Sequence, residues 1–154
     1  VSVDMKLLIN KVMGDVNYQL QEIEANVIQE ELPNCYGDEV LLNQLFANII
    51  TNAIKYRDSK KKLQLTIKAE KYAGKNVYCI SDNGIGISDY HLEKIWNVFY
   101  RVDNKSIPGD GIGLSISKRI VDRHTGRIWL ESEVGVGTKF YIELPNHFFQ
   151  DILV

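Results

Sequence analysis

Two asparagines one helical turn apart, Asn48 and Asn52, lie on the border of an apolar helical stripe, and Lys55 and Tyr56 share their sector of that helix. The amide oxygens of such a pair can ligate magnesium, and the amide N–H groups can donate to phosphate. Lys55 would add positive charge beside the phosphates, and Tyr56 a flat face for a base. The pattern is also typical of an exposed polar helix surface, so the helix alone does not decide between the two interpretations.

A glycine-rich run from Asp82 to Ile87 comes directly after a strand pattern. Gly84 and Gly86 permit a sharp turn and a close approach of the backbone to a ligand. The Asp82 carboxylate could accept the N–H of an exocyclic amine, which adenine presents where guanine presents an acceptor oxygen. The alternative is an ordinary Asp-Asn-Gly turn between two elements.

A second glycine-rich run, Gly109 to Leu114, precedes a predicted helix. Free N–H groups at a helix start, together with the positive end of the helix dipole, favour an anion. The polar stretch 102–108 before it is long enough for a lid that carries Lys105. Asp110 opposes this assignment, because a carboxylate in a phosphate loop repels the ligand unless it points away or meets a metal.

The third glycine-rich run, 135–138, is predicted to be the tight turn of a hairpin and needs no functional explanation, although the Thr138 hydroxyl could reach a base edge. Two common nucleotide motifs are excluded by spacing: GxxxxGK[ST] is absent, and neither glycine cluster completes G-x-G-x-x-G. Phosphate chemistry here would therefore belong to another nucleotide fold.

The elements that position these segments follow from hydrophobic periodicity and from turn residues. We predict helices over about 4–24, 38–56, 89–96 and 112–124, and strands over about 26–32, 63–69, 77–81, 127–131 and 138–144. Gly126 is placed to stop the last helix. This order predicts an α+β two-layer sandwich: a mixed, mostly antiparallel sheet of about five strands with about three helices on one face.

Composition excludes several classes of protein. The chain has 154 residues, 45% hydrophobic and 25% charged, with a net charge of -2, as expected of one globular domain and not of a general nucleic-acid binder. Cys35 and Cys79 form no CxxC pair, which argues against a disulfide scaffold or a zinc module. No apolar run approaches the roughly 18 residues of a membrane span, and no signal peptide opens the chain. Because the first residue is Val1, we expect a piece of a longer polypeptide.

The order of the motifs resembles the catalytic, ATP-binding domain of sensor histidine kinases, in the GHKL superfamily (the Bergerat fold) that also holds gyrase, certain heat-shock chaperones and MutL-type repair ATPases. Residues 48–56 are similar to the N box, 82–87 to the G1 box, 99–101 to the F box and 109–114 to the G2 box; 135–140 with Leu144-Pro145 completes the pattern. The resemblance covers nearly the whole chain, which we interpret as a single domain, 1–154, with a motif core at about 38–145.

The resemblance implies a role for each matching position, with ATP and Mg²⁺ as cofactors. Magnesium would be held by Asn48 and Asn52. The residues expected to serve phosphoryl transfer are Asn48, Asn52, Lys55 and Arg101. Those expected to contact ATP are Asn52, Lys55, Tyr56, Asp82, Gly84, Gly86, Ile87, Lys105, Gly109, Gly111, Ile112, Gly113, Leu114 and Thr138. Asp110 stands where a small or hydroxyl-bearing residue is expected, and its negative charge puts phosphate binding by the loop 109–114 in question.

The reaction type depends on Asn48, because the hydrolysing relatives carry a glutamate there that activates water, and an amide cannot accept that proton. We therefore expect transfer of the γ-phosphoryl group to an imidazole. None of the three histidines is followed by the acidic residue that usually follows the acceptor; they are His91, His124 and His147.

The acceptor is therefore expected on a separate dimerisation domain, with a response regulator downstream. Because the two separated cysteines suit a reducing compartment, we expect a cytoplasmic location for this domain, whether or not the parent protein is anchored in a membrane. We expect the domain to contact neither nucleic acid nor membrane. Two alternatives remain open: an anti-sigma-type serine kinase on the same fold, and a nucleotide-binding interaction module without catalysis, which Asp110 favours.

Overall fold

The domain is built from helices and strands whose bounds follow in chain order. The computed structural model describes residues 1–97 and 113–147. The helices are α1 (Met5–Asp15), α2 (Asn17–Glu22), α3 (Glu39–Lys55) and α4 (Gly113–Arg123), with a 3-10 helix at Lys94–Trp96. The strands are β1 (Ser2–Val3), β2 (Asn26–Gln29), β3 (Cys35–Tyr36), β4 (Gln64–Tyr72), β5 (Lys75–Asp82), β6 (Arg127–Glu133) and β7 (Gly137–Pro145).

Five strands form the main sheet in the order β2-β4-β5-β7-β6. The β2–β4 pair is parallel, and the other neighbours are antiparallel. The two shortest strands, β1 and β3, form a separate antiparallel pair. The predicted mixed, mostly antiparallel sheet is confirmed. Within the described parts of the chain, no helix combines the length and apolar character that a membrane span requires.

Helix α3 covers the centre of the sheet with a wide apolar stripe. Asp38 caps its start, since the side chain accepts from the Leu41 amide at 3.1 Å. The Phe46 ring meets Tyr78 of β5 edge to face, with centroids 5.7 Å apart. The buried residues of the stripe are Leu42, Leu45, Phe46, Ile49, Ile50, Ala53 and Ile54. Burial of this stripe sets the orientation of the polar residues on its border.

Several predicted elements differ in detail from the observed ones. The predicted helix over 4–24 is two helices, because the chain leaves helical geometry at Val16 (φ -108°, ψ 6°). The predicted helix over 89–96 is reduced to turns and the 3-10 helix at its end. The strand predicted over 26–32 ends at Gln29. Strands β1 and β3 were not predicted, since two residues carry no detectable period.

The end of α4 differs from the prediction that Gly126 would stop it. The residue in left-handed geometry is Thr125 (φ 53°), and the Gly126 amide donates to the Val121 carbonyl at 3.0 Å. Glycine is needed at 126 for another reason: a Cβ there would overlap the Glu143 carbonyl oxygen of β7. Residue 126 must therefore be glycine so that the turn after α4 can pack closely against β7 of the sheet.

We predict opposite effects for alanine at two glycines. Gly126→Ala should destabilise the domain by about 1–3 kcal/mol, because the Cβ forces the turn away from Glu143. Gly14→Ala in α1 meets nothing within 4 Å and should stabilise it by up to about 1 kcal/mol through helix propensity. Chemical denaturation of both variants measures the two free energies of unfolding. Equal stabilities for the two variants would contradict the packing argument.

Candidate functional site

The last residue of β5, Asp82, places a half-buried carboxylate at the edge of the sheet. It lies opposite Thr138 of β7 and Leu65 of β4 in the strand register. Its Oδ1 accepts from the Gly84 amide at 2.8 Å. Burial raises the pKa of the Asp82 carboxyl above its ordinary value, while backbone hydrogen bonds to Gly84 and Thr138 oppose the rise. No described residue forms an ion pair with Asp82, so this carboxylate is suited to accept hydrogen bonds from a neutral donor.

The turn after Asp82 is held from both sides by backbone contacts. The Ile85 amide donates to the Tyr56 carbonyl at the end of α3, at 3.0 Å. The Ile85 carbonyl accepts from the Gly135 amide at 2.9 Å, and the Ile87 amide donates to the Ser132 hydroxyl at 2.7 Å. The predicted site residues Gly84, Gly86 and Ile87 therefore lie between the end of α3 and the β6–β7 hairpin.

The third glycine run contributes to this site as well as to its own hairpin. Gly137 has φ 146°, and a Cβ there would overlap the Asp82 carbonyl oxygen. The start of β7 can therefore approach Asp82 only because residue 137 has no side chain. Thr138 is buried, with its hydroxyl 2.8 Å from that of Ser132. This run therefore forms the hairpin turn and lets β7 approach Asp82, while contact of the Thr138 hydroxyl with a base edge stays a prediction.

The polar border of α3 ends at Tyr56, whose carbonyl is bonded to Ile85 in the turn after Asp82. Asn48 and Asn52 are half-buried and Lys55 is exposed, and Tyr56 caps the helix. Asn48 Nδ2 donates to the Gly113 carbonyl in the first turn of α4, at 3.3 Å. Asn48, the first of the two predicted asparagines, thus contacts the predicted anion-binding helix start, where Leu114 is half-buried against the core.

The remaining predicted site residues lie outside the described part of the chain. They are Arg101, Lys105, Gly109, Gly111 and Ile112, together with Asp110 and the F-box residues Phe99 and Tyr100. The roles expected for them stay predictions.

Two side chains that support the site were not predicted. Asn83 Oδ1 accepts from the Gln64 amide at 2.8 Å, and its Nδ2 donates to the Lys62 carbonyl at 3.0 Å, so this side chain ties the turn to the start of β4. Its position before a glycine in the turn was a usable signal, since asparagine often bonds backbone in turns. Ser132 gave no local signal, because its partner Ile87 lies 45 residues earlier in the chain.

The donor set of the site fits a magnesium ion better than a metal caged by protein. Across residues 1–97 and 113–147 there is no group of three or more His, Cys, Asp or Glu side chains that could hold a metal. Half-buried amide oxygens on α3 suit Mg²⁺, which keeps several waters and shares its ligands with phosphate. Because Asn48 donates to Gly113 through its amide nitrogen, its Oδ1 is not used by that bond, and both Asn48 and Asn52 can offer an amide oxygen.

Comparisons with known proteins agree with this geometry. The family described as "Histidine kinase-, DNA gyrase B-, and HSP90-like ATPase" matches residues 37–147. Cyanobacterial phytochrome A of Nostoc sp. is 36% identical over 92% of this chain, and sensor protein kinase WalK of Staphylococcus haemolyticus is 36% identical over 97%. The catalytic domain of histidine kinase ThkA superposes with a TM-score of 0.82 at 25% identity, covering 95% of this chain and 97% of that one.

The chain spans only part of its curated relatives, 19% of the phytochrome and 25% of WalK. The matched region contains the N-box helix, the turn after β5 and the β6–β7 hairpin, which are the elements that build the site. The chain therefore belongs to the family of histidine kinase-, DNA gyrase B- and HSP90-like ATPases, and within it to the group formed by the ATP-binding catalytic domains of histidine kinases.

Proposed function

We propose that this domain transfers the γ-phosphoryl group of ATP to a histidine on a separate dimerisation domain of the same or a sister protein. The observation that carries the proposal is Asn48, an amide whose Nδ2 is bonded to the Gly113 carbonyl. An amide cannot take a proton from water, so hydrolysis has no base at this position. Transfer to a neutral imidazole needs mainly positioning and charge neutralisation.

In this proposal Asp82 recognises the adenine ring. Its half-buried carboxylate is an acceptor at the sheet edge, and Gly84 and Gly86 keep side chains away from the turn. The adenine amine would donate to Asp82, partly through water, while guanine would present an oxygen that the carboxylate repels. Tyr56 and Thr138 flank the same turn.

The phosphates would lie along the α3 border toward the start of α4. Asn52, with Asn48 beside it, would hold Mg²⁺ through amide oxygen, and Lys55 would approach the phosphates. The bound ion would neutralise phosphate charge during transfer. The first-turn amides of α4 at Gly113 and Leu114 would face the anion with the positive end of the helix dipole.

The proposed partners are the helical dimerisation domain that carries the acceptor and a downstream response regulator. The relationship to a sensor protein kinase supports both. The histidine that lies beside α3, His124, has both ring nitrogens in hydrogen bonds to backbone, which supports an acceptor outside this chain. We propose a cytoplasmic location for the domain.

Phosphorylation with ATP labelled at the γ-phosphorus tests the transfer. The domain is combined with the dimerisation domain of its parent protein, with and without magnesium. We expect label on the dimerisation domain that is lost in acid and retained in base, as for phosphohistidine. Label stable to acid and lost in base would identify a serine kinase instead. No label in the presence of demonstrated ATP binding would identify an inactive nucleotide-binding module.

Asp82→Asn should weaken ATP binding by about ten- to a hundredfold, because a hydrogen bond to a charged acceptor contributes about 1.5–3 kcal/mol. Isothermal titration calorimetry measures the dissociation constant. Asp122→Asn, which changes an exposed carboxylate of α4 paired with Lys118, is the matched control and should leave affinity unchanged. Unaltered ATP affinity in Asp82→Asn would show that the adenine assignment is wrong.

The same substitution should stabilise the nucleotide-free domain. Burial raises the pKa of the Asp82 carboxyl, so the folded state keeps a proton at pH values where the unfolded chain has lost it. The free energy of unfolding therefore falls as pH rises through that window, and the penalty is fully present above the raised pKa. We expect the Tm of Asp82→Asn to exceed that of the wild type at neutral pH, and the difference to shrink as the pH falls. A lower Tm for the variant at neutral pH would contradict this account.

Asn52→Ala should reduce magnesium-dependent transfer by about a hundredfold or more while the domain stays folded, because a metal ion contributes several kcal/mol of charge stabilisation. Initial rates at several magnesium concentrations, with circular dichroism for folding, measure both effects. Gln44→Ala is the matched control, because it removes an exposed amide about two turns earlier on α3. Undiminished transfer by Asn52→Ala would reject the role of this side chain.

A further inference from the structure

Two of the side-chain hydrogen bonds between described residues connect α3 with α4. At one, Asn48 Nδ2 donates to the Gly113 carbonyl where α4 begins. At the other, His124, directly after α4, meets the Asp38 amide where α3 begins. The start of α4 thus lies beside the middle of α3, and the end of α4 beside the start of α3. The two helices are antiparallel, and the two contacts are about 16 Å apart along α4.

Both ring nitrogens of His124 are used, which determines the tautomer. The Asp38 amide lies 3.0 Å from Nε2 and can only donate. The Ile120 carbonyl lies 2.8 Å from Nδ1 and can only accept. Nδ1 must therefore carry the hydrogen and Nε2 must be bare, so only the neutral Nδ1–H tautomer makes both bonds.

Helix α3 has no side chain at its capping-box position that could accept a hydrogen bond from the Asp38 amide. In a capping box, a Glu or Gln at the third helical position accepts from the amide of the capping residue. Here the cap is Asp38 and the third position is Leu41, which has no acceptor. The cap amide of α3 is therefore bonded to His124, a residue 86 positions later that belongs to the end of α4.

The backbone leaves room for the imidazole ring of His124 because residue 37 is a glycine. A Cβ on Gly37 would lie 2.5 Å from Cδ2 and 2.6 Å from Nε2 of His124. Any side chain at 37 would therefore push the imidazole away from the Asp38 amide. Gly37 and His124 act together, although neither belongs to the residues that border the nucleotide site.

We propose that His124 is a positioning residue that fixes α4 along α3, and thereby sets where the first turn of α4 stands relative to Asn52. This rests on the proposed function, in which that turn faces the phosphates. With the His124 bond lost, the position of α4 along α3 depends on the longer Asn48 bond, at 3.3 Å, and on apolar packing, which constrains sliding less than a directional bond does. Helix α4 can then shift along α3, and its terminal amides no longer match the phosphate position that Asn52 defines.

Three variants test the proposal. His124→Phe keeps a ring and removes the acceptor, Gly37→Ala displaces the imidazole without altering it, and His124→Gln keeps an acceptor oxygen at the ε position. Each is measured at about 20 °C below its own Tm, so that unfolding does not enter. The KM for ATP, kcat and the calorimetric dissociation constant are recorded, using the domain together with the dimerisation domain.

We expect His124→Phe and Gly37→Ala to raise both the KM and the dissociation constant for ATP by about three- to tenfold, the value of one hydrogen bond, with kcat changed less. His124→Gln should stay within about twofold of the wild type. A lowered Tm with unchanged ATP affinity in His124→Phe and Gly37→Ala would show a merely structural role and overturn the proposal. Equal loss in His124→Gln and His124→Phe would overturn it as well.

Ring-nitrogen chemical shifts give an independent test. The Nδ1–H tautomer is expected for His124, and an Nε2–H tautomer would contradict the bond to Asp38. Failure of the proposed function can be told apart from failure of this proposal. A wild-type domain that binds ATP but transfers nothing rejects the function, while the affinities of the variants still decide the role of His124.

Discussion

A charged group at the end of a central strand is tolerated only where hydrogen-bond donors surround it, because a carboxylate removed from water is otherwise costly. Asp82 meets this requirement through the amide of Gly84, two residues on, and through backbone contact with Thr138 on the neighbouring strand. The second contact requires β7 to start very near Asp82, which the absence of a side chain at Gly137 permits. The turn after β5 and the β6–β7 hairpin are therefore parts of one constraint.

Helix α3 links this constraint to the rest of the domain. Its apolar stripe packs on the sheet, and its last carbonyl, at Tyr56, accepts from Ile85 in the same turn. The border asparagines and the turn after Asp82 are therefore both positioned by α3. A nucleotide bound between the two would contact a helix and a turn that the Ile85–Tyr56 hydrogen bond already joins.

The features of the site that could be predicted from the sequence are those that depend on short stretches of the chain. The stripe of α3, the alternation of β4, the apolar run of β5, and the glycines at 84, 86 and 137 are all visible within short windows. The position of Asn48 and Asn52 beside the apolar stripe of α3 was predicted from the period of an α-helix. The break at Val16 was not visible, because its neighbours Val12 and Leu20 continue the apolar spacing across it. Ser132 was equally hidden, since its partner Ile87 lies 45 residues earlier in the chain.

By itself, the sequence determined which residues face the core, which turns are sharp, and which polar groups stand at the ends of elements, because period and backbone freedom are local properties of a chain. Only the tertiary structure decided which of those groups meet. The Asp38 amide finds its acceptor in His124, 86 residues away, and the Asn48 amide finds the Gly113 carbonyl, 65 residues away. Such pairings depend on how two helices pack on a shared sheet, and a hydrogen bond extends over only about 3 Å, so no pattern along the chain encodes them directly.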